Sequence, residues 1–315
     1  MLPIAWCRPT GIVYRGLVEA LRWERRPTDL RAPVLVAAFR GWNDAGEAAS
    51  FAVGYLQATL EATTFATVPP EDFFDFQSHR PRIHIEDGSL KGPVEWPRIE
   101  ILTTNPAPER HLILVNGIEP SMRWPTLCNA ILDMATELGV ELVVTLGALL
   151  ADVPHTRPVR VSGLGAPMEL IATLGLRRPD YQGPTGIVAV LHAMAAERGM
   201  RSASLWAAVP HYVGAAPSPK AALALLRAAQ EVAGLTIDLA DLERAVGHFE
   251  EQVDEAVQRN PQAANMVGEL ERAYDNELDQ PFGPIPSGDA IAAEFERFLR
   301  ERGDTDREDP SAKDP

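Results

Sequence analysis

The chain has 315 residues, 46% of them hydrophobic, and a formal net charge of −15 from 44 Asp and Glu against 29 Lys and Arg. No basic stripe is present to neutralise nucleic-acid phosphates or to hold an anionic membrane surface, so neither partner is expected. Cys7 and Cys128 form neither a CxxC pair nor a disulfide framework.

The charge is uneven. From Leu235 onward there are 21 acidic and 8 basic residues, a balance of −13; the preceding 234 residues hold 23 acids and 21 bases, a balance of −2. A nearly neutral body is followed by an acidic C-terminal portion. The stretch Met1 to Trp6 lacks a basic segment followed by an apolar run, so no secretory signal is expected. The two cysteines fit a reducing cytoplasm. The longest apolar run, Leu142 to Ala151, is about half of a membrane span.

In chain order, Pro33 to Phe39 is a short apolar run closed by Gly41 and reads as a buried strand. Asn43-Asp44 then precede a helical pattern from Ala45 to Leu56, and Thr63 to Val68 is β-prone. Arg82 to Glu86, Leu90 to Val94 and Arg98 to Thr103 alternate, are broken by Gly88 and Gly92-Pro93, and read as a meander or hairpin. His111 to Val115 is a strand ending at Asn116-Gly117. Pro125 to Leu138 is a helix stopped by Gly139, with Leu127, Ile131, Met134 and Leu138 on one face. Glu141 to Leu146 is a strand ending at Gly147, and Val159 to Gly163 is a short one. Thr185-Gly186 opens the helix Ile187 to Arg198, Ala203 to Val209 is the last strand, and Pro219 to Ala233 is an Ala/Leu helix. This alternation predicts an α/β body over residues 1–234.

After Leu235 the pattern is helical. Leu239, Leu242, Val246, Phe249, Val253 and Ala256 are spaced as a coiled-coil-like seam. Asn260-Pro261 breaks it, and Ala263, Met266, Leu270 and Ala273 open a second helix. An acidic helical hairpin and a final helix carrying Ile291, Phe295, Phe298 and Leu299 are expected over 235–302, with a disordered tail over 303–315.

In an α/β sheet a ligand site lies beyond the carboxyl ends of the strands. Four loops there carry polar residues: Trp42, Asn43 and Asp44; Asn116 and Glu119; Asp152, His155 and Arg157; and His211. Asn43 and Asp44 read either as helix caps or as ligand contacts. Asp152 with His155 and Arg157 reads either as a hydrogen-bonded loop or as an acid–base group with Arg157 as an anion contact. Trp42 suits packing or an interface. There is no GxxxxGK[ST], no GxSxG and no HExxH or His/Cys cluster, so no metal or cofactor is expected and the catalytic inventory is thin for an enzyme.

Gly41-Trp42-Asn43-Asp44-Ala45-Gly46-Glu47-Ala48, then Gly147 to Pro158, Tyr181 to Ile187 and Val209-Pro210-His211-Tyr212, together resemble the proteasome-assembly-chaperone type-two-like family over roughly residues 30 to 300. The likeness is to the actinobacterial branch, which carries a C-terminal helical extension. It implies a three-layer α/β/α sandwich of phosphorylase-like fold, a homo-oligomer with trimers among the forms, and proteasome subunits as partners. The chain ends Ser311-Ala312-Lys313-Asp314-Pro315, without the hydrophobic–tyrosine–any-residue ending of pocket-docking chaperones, so docking by that route is not expected. The expected function is assembly chaperone or scaffold. The alternative is an enzyme or binding protein for a nucleotide- or nucleoside-like ligand at the strand-end loops.

Overall fold

The run Val34 to Arg40 forms the strand around which the other layers assemble, because six of its seven residues are buried on both faces of the sheet. The computed structural model describes residues 20–104, 110–172, 174, 176, 179 and 181–279. The strands are β1 (Arg22–Trp23), β2 (Val34–Arg40), β3 (Thr63–Thr67), β4 (Arg82–Glu86), β5 (Ser89–Glu95), β6 (Ile99–Thr103), β7 (Leu112–Ile118), β8 (Leu142–Ala151), β9 (Val161–Ala166) and β10 (Ser202–Pro210). The helices are α1 (Ala48–Thr59), α2 (Pro70–Phe73), α3 (Trp124–Glu137), α4 (Glu169–Ala172), α5 (Ile187–Glu197), α6 (Pro219–Ala233), α7 (Ala240–Gln258) and α8 (Pro261–Asp279).

Eight strands form one mixed sheet in the order β1-β3-β6-β7-β2-β8-β10-β9. The centre, β7, β2, β8 and β10, is parallel. The flanking strands β6, β3, β1 and β9 pair antiparallel. Successive side chains of β2 point to opposite faces. Val34, Val36 and Ala38 join one core with Ala49, Ala52, Val53 and Leu56 of α1 and Leu225 and Leu226 of α6. Leu35, Ala37 and Phe39 join a second core with Leu127 and Ile131 of α3 and Val188 and Leu191 of α5. Helices thus cover both faces, and the fold is the expected three-layer α/β/α sandwich with C-terminal helices.

The helix α6 starts and stops where local chemistry demands. The Ser218 hydroxyl accepts from Ala221 N–H at 3.3 Å, Pro219 fills the first turn, and Gly234 closes the helix at φ 61. The acidic segment that follows begins inside the body's core, since Ile237, Leu239 and Leu242 are buried with α6. Of the seam residues inside α7, Leu242 and Val253 are buried. The chain forms two compact units, 1–271 and 272–315; of the second, the described residues are 272–279, which continue α8. The final helix, the tail and Cys7 lie outside the described residues.

Two strand ends differ from expectation. Strand β7 continues through Asn116-Gly117 to Ile118, and β8 continues through Gly147 to Ala151. Gly147 is not a breaker: a Cβ there would lie 2.7 Å from the Trp206 ring, so glycine makes room for a neighbouring strand's side chain. The three segments from Arg82 to Thr103 also divide. The first two form a separate two-stranded hairpin, β4–β5, while β6 enters the main sheet beside β7. No helix among the described residues is long and apolar enough to cross a membrane.

Candidate functional site

The loop after β2 is tied to β8 by its backbone. Asn43 C=O accepts from Ala148 N–H at 2.7 Å, and Asp44 bridges Ala148 in parallel register. The Asp44 carboxylate turns into the start of α1 and accepts from Ala49 N–H at 2.7 Å and Ser50 N–H at 3.2 Å. These are amides of the first helical turn, which have no partner inside the helix. Burial pushes the Asp44 carboxyl above the usual carboxylate range, and these hydrogen bonds oppose that shift. Asp44 therefore acts as a helix cap from a position just outside the helix.

Asn43 is buried and donates Nδ2–H to Glu119 Oε1 at 2.6 Å. The same oxygen accepts from Ile187 N–H at 2.9 Å, the first amide of α5. Glu119 thus joins the loop after β2, the end of β7 and the N-terminus of α5, where a negative charge is favourable. Because Glu119 is an acceptor, Nδ2 must be the atom facing it, and Asn43 Oδ1 is left without a partner among the described residues. Gly186 closes this corner: a Cβ there would fall 2.1 Å from Asn43 Nδ2. Trp42, between these anchored residues, is exposed.

A second group forms where β8 and β10 end. Asp152 Oδ1 meets His211 Nδ1 at 3.2 Å, both exposed. His155 is buried, and its backbone N–H donates to Tyr212 Oη at 2.7 Å. That oxygen also lies 2.7 Å from His155 Nδ1, and His155 Nε2 lies 2.9 Å from Asp254 Oδ1 of α7. The proton positions follow. The Asp254 carboxylate only accepts, so Nε2 carries a proton and donates it to Asp254, and in that neutral tautomer Nδ1 accepts from the Tyr212 O–H. Burial raises the Tyr212 phenol above its ordinary value, and Glu271 and Asp254 add to this, which keeps that proton in place.

The acidic helices are fastened to the body at this point. Lys220 Nζ lies 2.6 Å from Glu250 Oε1 and also donates to the His155 carbonyl. Arg157 Nη1 donates to Glu271 Oε1 at 3.1 Å. Asn116 stands apart from both groups, with Nδ2 donating to Gln57 Oε1 of α1 at 3.5 Å.

The nine candidate residues therefore divide by their partners. Asn43, Asp44 and Glu119 join the loop after β2 to two helix N-termini; Asp152, His155, Arg157 and His211 belong to the β8–β10 end. Tyr212, Lys220, Asp254 and Gly186 complete these arrangements and are not among the nine candidates. Among the described residues no group of His, Cys, Asp and Glu is placed to hold a metal ion. The buried Cys128 thiol is pushed up to about 12 by its surroundings and is no nucleophile.

Around the strand ends the surface carries exposed Trp42, Met122, Leu149, Leu150 and Tyr181. Beside it lies a cleft of about 640 Å³ with Arg40, His79, Arg80, Arg82, Trp96 and Arg98 in its wall.

These features describe a three-layer α/β/α protein whose strand-end polar groups are largely spent on helix starts and on fastening the acidic helices. The chain belongs to the PAC2 family, whose model matches residues 38–257. It is similar to a Mycobacterium tuberculosis proteasome-assembly chaperone homologue, with 41% identity, a TM-score of 0.69, and 74% of this chain and 99% of that one covered. A Streptomyces avermitilis PAC2 family protein shares 46% identity, with a TM-score of 0.67 and coverage of 75% and 99%. A Mycobacterium tuberculosis protein of unknown function shares 29% identity, with a TM-score of 0.78 and coverage of 84% and 91%. No curated protein matches the chain.

Proposed function

We infer that this protein is a cytoplasmic, oligomeric assembly chaperone or scaffold that works by binding other polypeptides, with proteasome subunits as the partner class. The observation that carries this reading is the contrast at the strand ends. The buried polar side chains there bond mainly to backbone amides and to one another, while Trp42, Leu149 and Leu150 face solvent. Exposed apolar groups beside a rigid polar frame suit a protein contact better than a reacting small molecule. The family, and the description of the 41% identical Mycobacterium tuberculosis relative as a proteasome-assembly chaperone homologue, point the same way. The homo-oligomer, a trimer among its forms, belongs to this proposal. The test is recovery of proteasome α subunits with the tagged protein from its own cells, and slower α-ring assembly when the gene is deleted. Unchanged assembly together with no co-purified α subunit refutes the reading.

One observation favours a nucleotide-like ligand instead: the cleft whose wall holds Arg40, Arg80, Arg82 and Arg98, with Glu95 and Glu100, is of a size that takes small molecules. A ligand bound only by the folded state raises its stability. A thermal shift with a nucleotide that is lost in Arg40→Ala supports this second reading, and no shift with any nucleotide removes it.

A further inference from the structure

The cleft of about 640 Å³ beside the strand ends has the main sheet for its floor. Arg40 of β2 pairs in register with Ile118 of β7, and Ile118 N–H donates at 3.3 Å to the carbonyl of Arg98, just ahead of β6. Arg40, Ile118 and Arg98 therefore stand in one row, and the two arginine backbones are roughly 10 Å apart, two strand spacings. The side wall is the segment 77–82 with Glu95 and Trp96. That segment is held in place. Asp75 accepts from Gln77 N–H and from the Ser78 hydroxyl, both at 2.9 Å, and His79 Nδ1 lies 3.2 Å from Ser121 Oγ. Trp96 is 48% exposed and leans on Phe76, with ring centroids 4.9 Å apart. Of the four arginines, only Arg98 has an acidic partner among the described residues, Glu100 at 3.4 Å. Arg40, Arg80 and Arg82 are exposed.

Three unpaired guanidinium groups on a chain of net charge −15 mark the place where an anionic partner is admitted. The wall distinguishes which anion that is. Backbone N–H groups at a helix start or in a glycine-rich turn cradle a pyrophosphate. No helix starts among the lining residues, and their one glycine, Gly117, lies in β7, where a Cβ would fall 2.4 Å from the Arg98 carbonyl. Glu95 shares the wall with the arginines and opposes a densely charged ligand such as a polyphosphate or a nucleic acid. Separate carboxylates on an extended chain suit the spread of the arginines, because alternate side chains of a strand are about 7 Å apart on one face. Trp96 adds a flat apolar surface beside them.

We propose that this cleft binds an acidic, extended segment of a partner polypeptide, with carboxylates received by Arg40, Arg80 and Arg82 and an apolar side chain laid on Trp96. This rests on the polypeptide-binding reading above and names the partner's chemistry. The test uses the full chain and fluorescence anisotropy of a labelled peptide of alternating Glu and Ala with one central Phe. The proposal expects saturable binding that weakens as salt rises. The same peptide with Lys in place of Glu does not bind. The Arg80→Ala, Arg82→Ala double variant raises the dissociation constant roughly tenfold or more, and Trp96→Ala weakens binding of the Phe peptide more than of its all-Ala counterpart. Lys91→Ala, a basic residue outside the cleft wall, leaves it unchanged. Unchanged thermal melts of the variants check that each is folded.

Absence of saturable binding to the wild type, or equal affinity in the arginine double variant, overturns the proposal. Displacement of the peptide by ATP or oligothymidylate at lower concentration than by unlabelled peptide also overturns it, and gives the cleft to a phosphate ligand. Recovery of proteasome α subunits is scored separately. Peptide binding with no α subunit recovered keeps the cleft and removes proteasome subunits as its partners. Recovered α subunits with no peptide binding remove the cleft and keep the chaperone reading.

Discussion

Removing the Glu119 carboxylate disconnects three elements at once. Its Oε1 accepts from buried Asn43 Nδ2 at 2.6 Å and from Ile187 N–H at 2.9 Å. Glu119→Ala leaves a buried amide donor without an acceptor and uncaps α5. Hydrogen bonds to a charged group are each worth about 1.5–3 kcal/mol, so the two together predict a loss of about 3–6 kcal/mol. Glu119→Gln keeps an acceptor in place and loses only the charge, at about 1 kcal/mol for a group at a helix N-terminus. Asn43→Ala removes one of the two bonds, and the double variant Asn43→Ala, Glu119→Ala then costs less than the sum of the singles by about 1.5–3 kcal/mol. Urea unfolding followed by tryptophan fluorescence, at one fixed protein concentration, measures all four. A Glu119→Ala loss below about 0.5 kcal/mol, the range of ordinary surface changes, together with no coupling to Asn43, refutes the structural role assigned to this carboxylate.

Two glycines test packing in opposite directions. Gly186→Ala drives a methyl group into Asn43 and costs about 1–3 kcal/mol. Gly54→Ala, inside α1 with nothing within 4 Å, stabilises by about 0.5–1 kcal/mol. Melting temperatures moving down and up respectively, by about 2–4 °C per kcal/mol, agree with the structure, and equal shifts contradict it. Burial lowers the His192 pKa, and its Nδ1 has no partner among the described residues. The unfolded chain then binds the proton more tightly, so stability falls as pH drops through 6.5 toward the lower folded value and is level above. His192→Leu removes that loss. Melts at pH 5.5 and pH 8 should show its advantage growing at the lower pH, and an identical advantage at both refutes the assignment. Asp254→Ala leaves His155 Nε2–H without its acceptor, and amide exchange in α7 should rise roughly tenfold or more while β2 is unchanged. Unaltered exchange in α7 contradicts the fastening role.

Local signals made much of the fold readable. β2 and α6 lie where an apolar run and a Ser-Pro start with a Gly stop place them. The misplaced ends share a cause that is not local. Gly147 looks like a terminator in sequence, yet its absent side chain answers to Trp206 on the adjacent strand. Likewise, nothing in 82–103 alone says that two segments leave the sheet and the third enters it, because the decision rests on pairing with β7. In the candidate site, Asn43 and Asp44 were visible as loop residues before a helix, and capping by Asp44 is what such residues do. The His155 arrangement was not visible as a unit. Its partners lie 57 and 99 residues away, at Tyr212 and Asp254. The acidic excess of the C-terminal portion is partly engaged at this point, where Glu250, Asp254 and Glu271 meet Lys220, His155 and Arg157.

The central claim is that this PAC2 family chain acts as an oligomeric binder of proteasome subunits. Native mass spectrometry of the tagged protein recovered from its own cells tests this most directly. The account predicts masses at multiples of the 34.4 kDa chain together with complexes containing proteasome α subunits. A single 34.4 kDa species free of α subunits contradicts it.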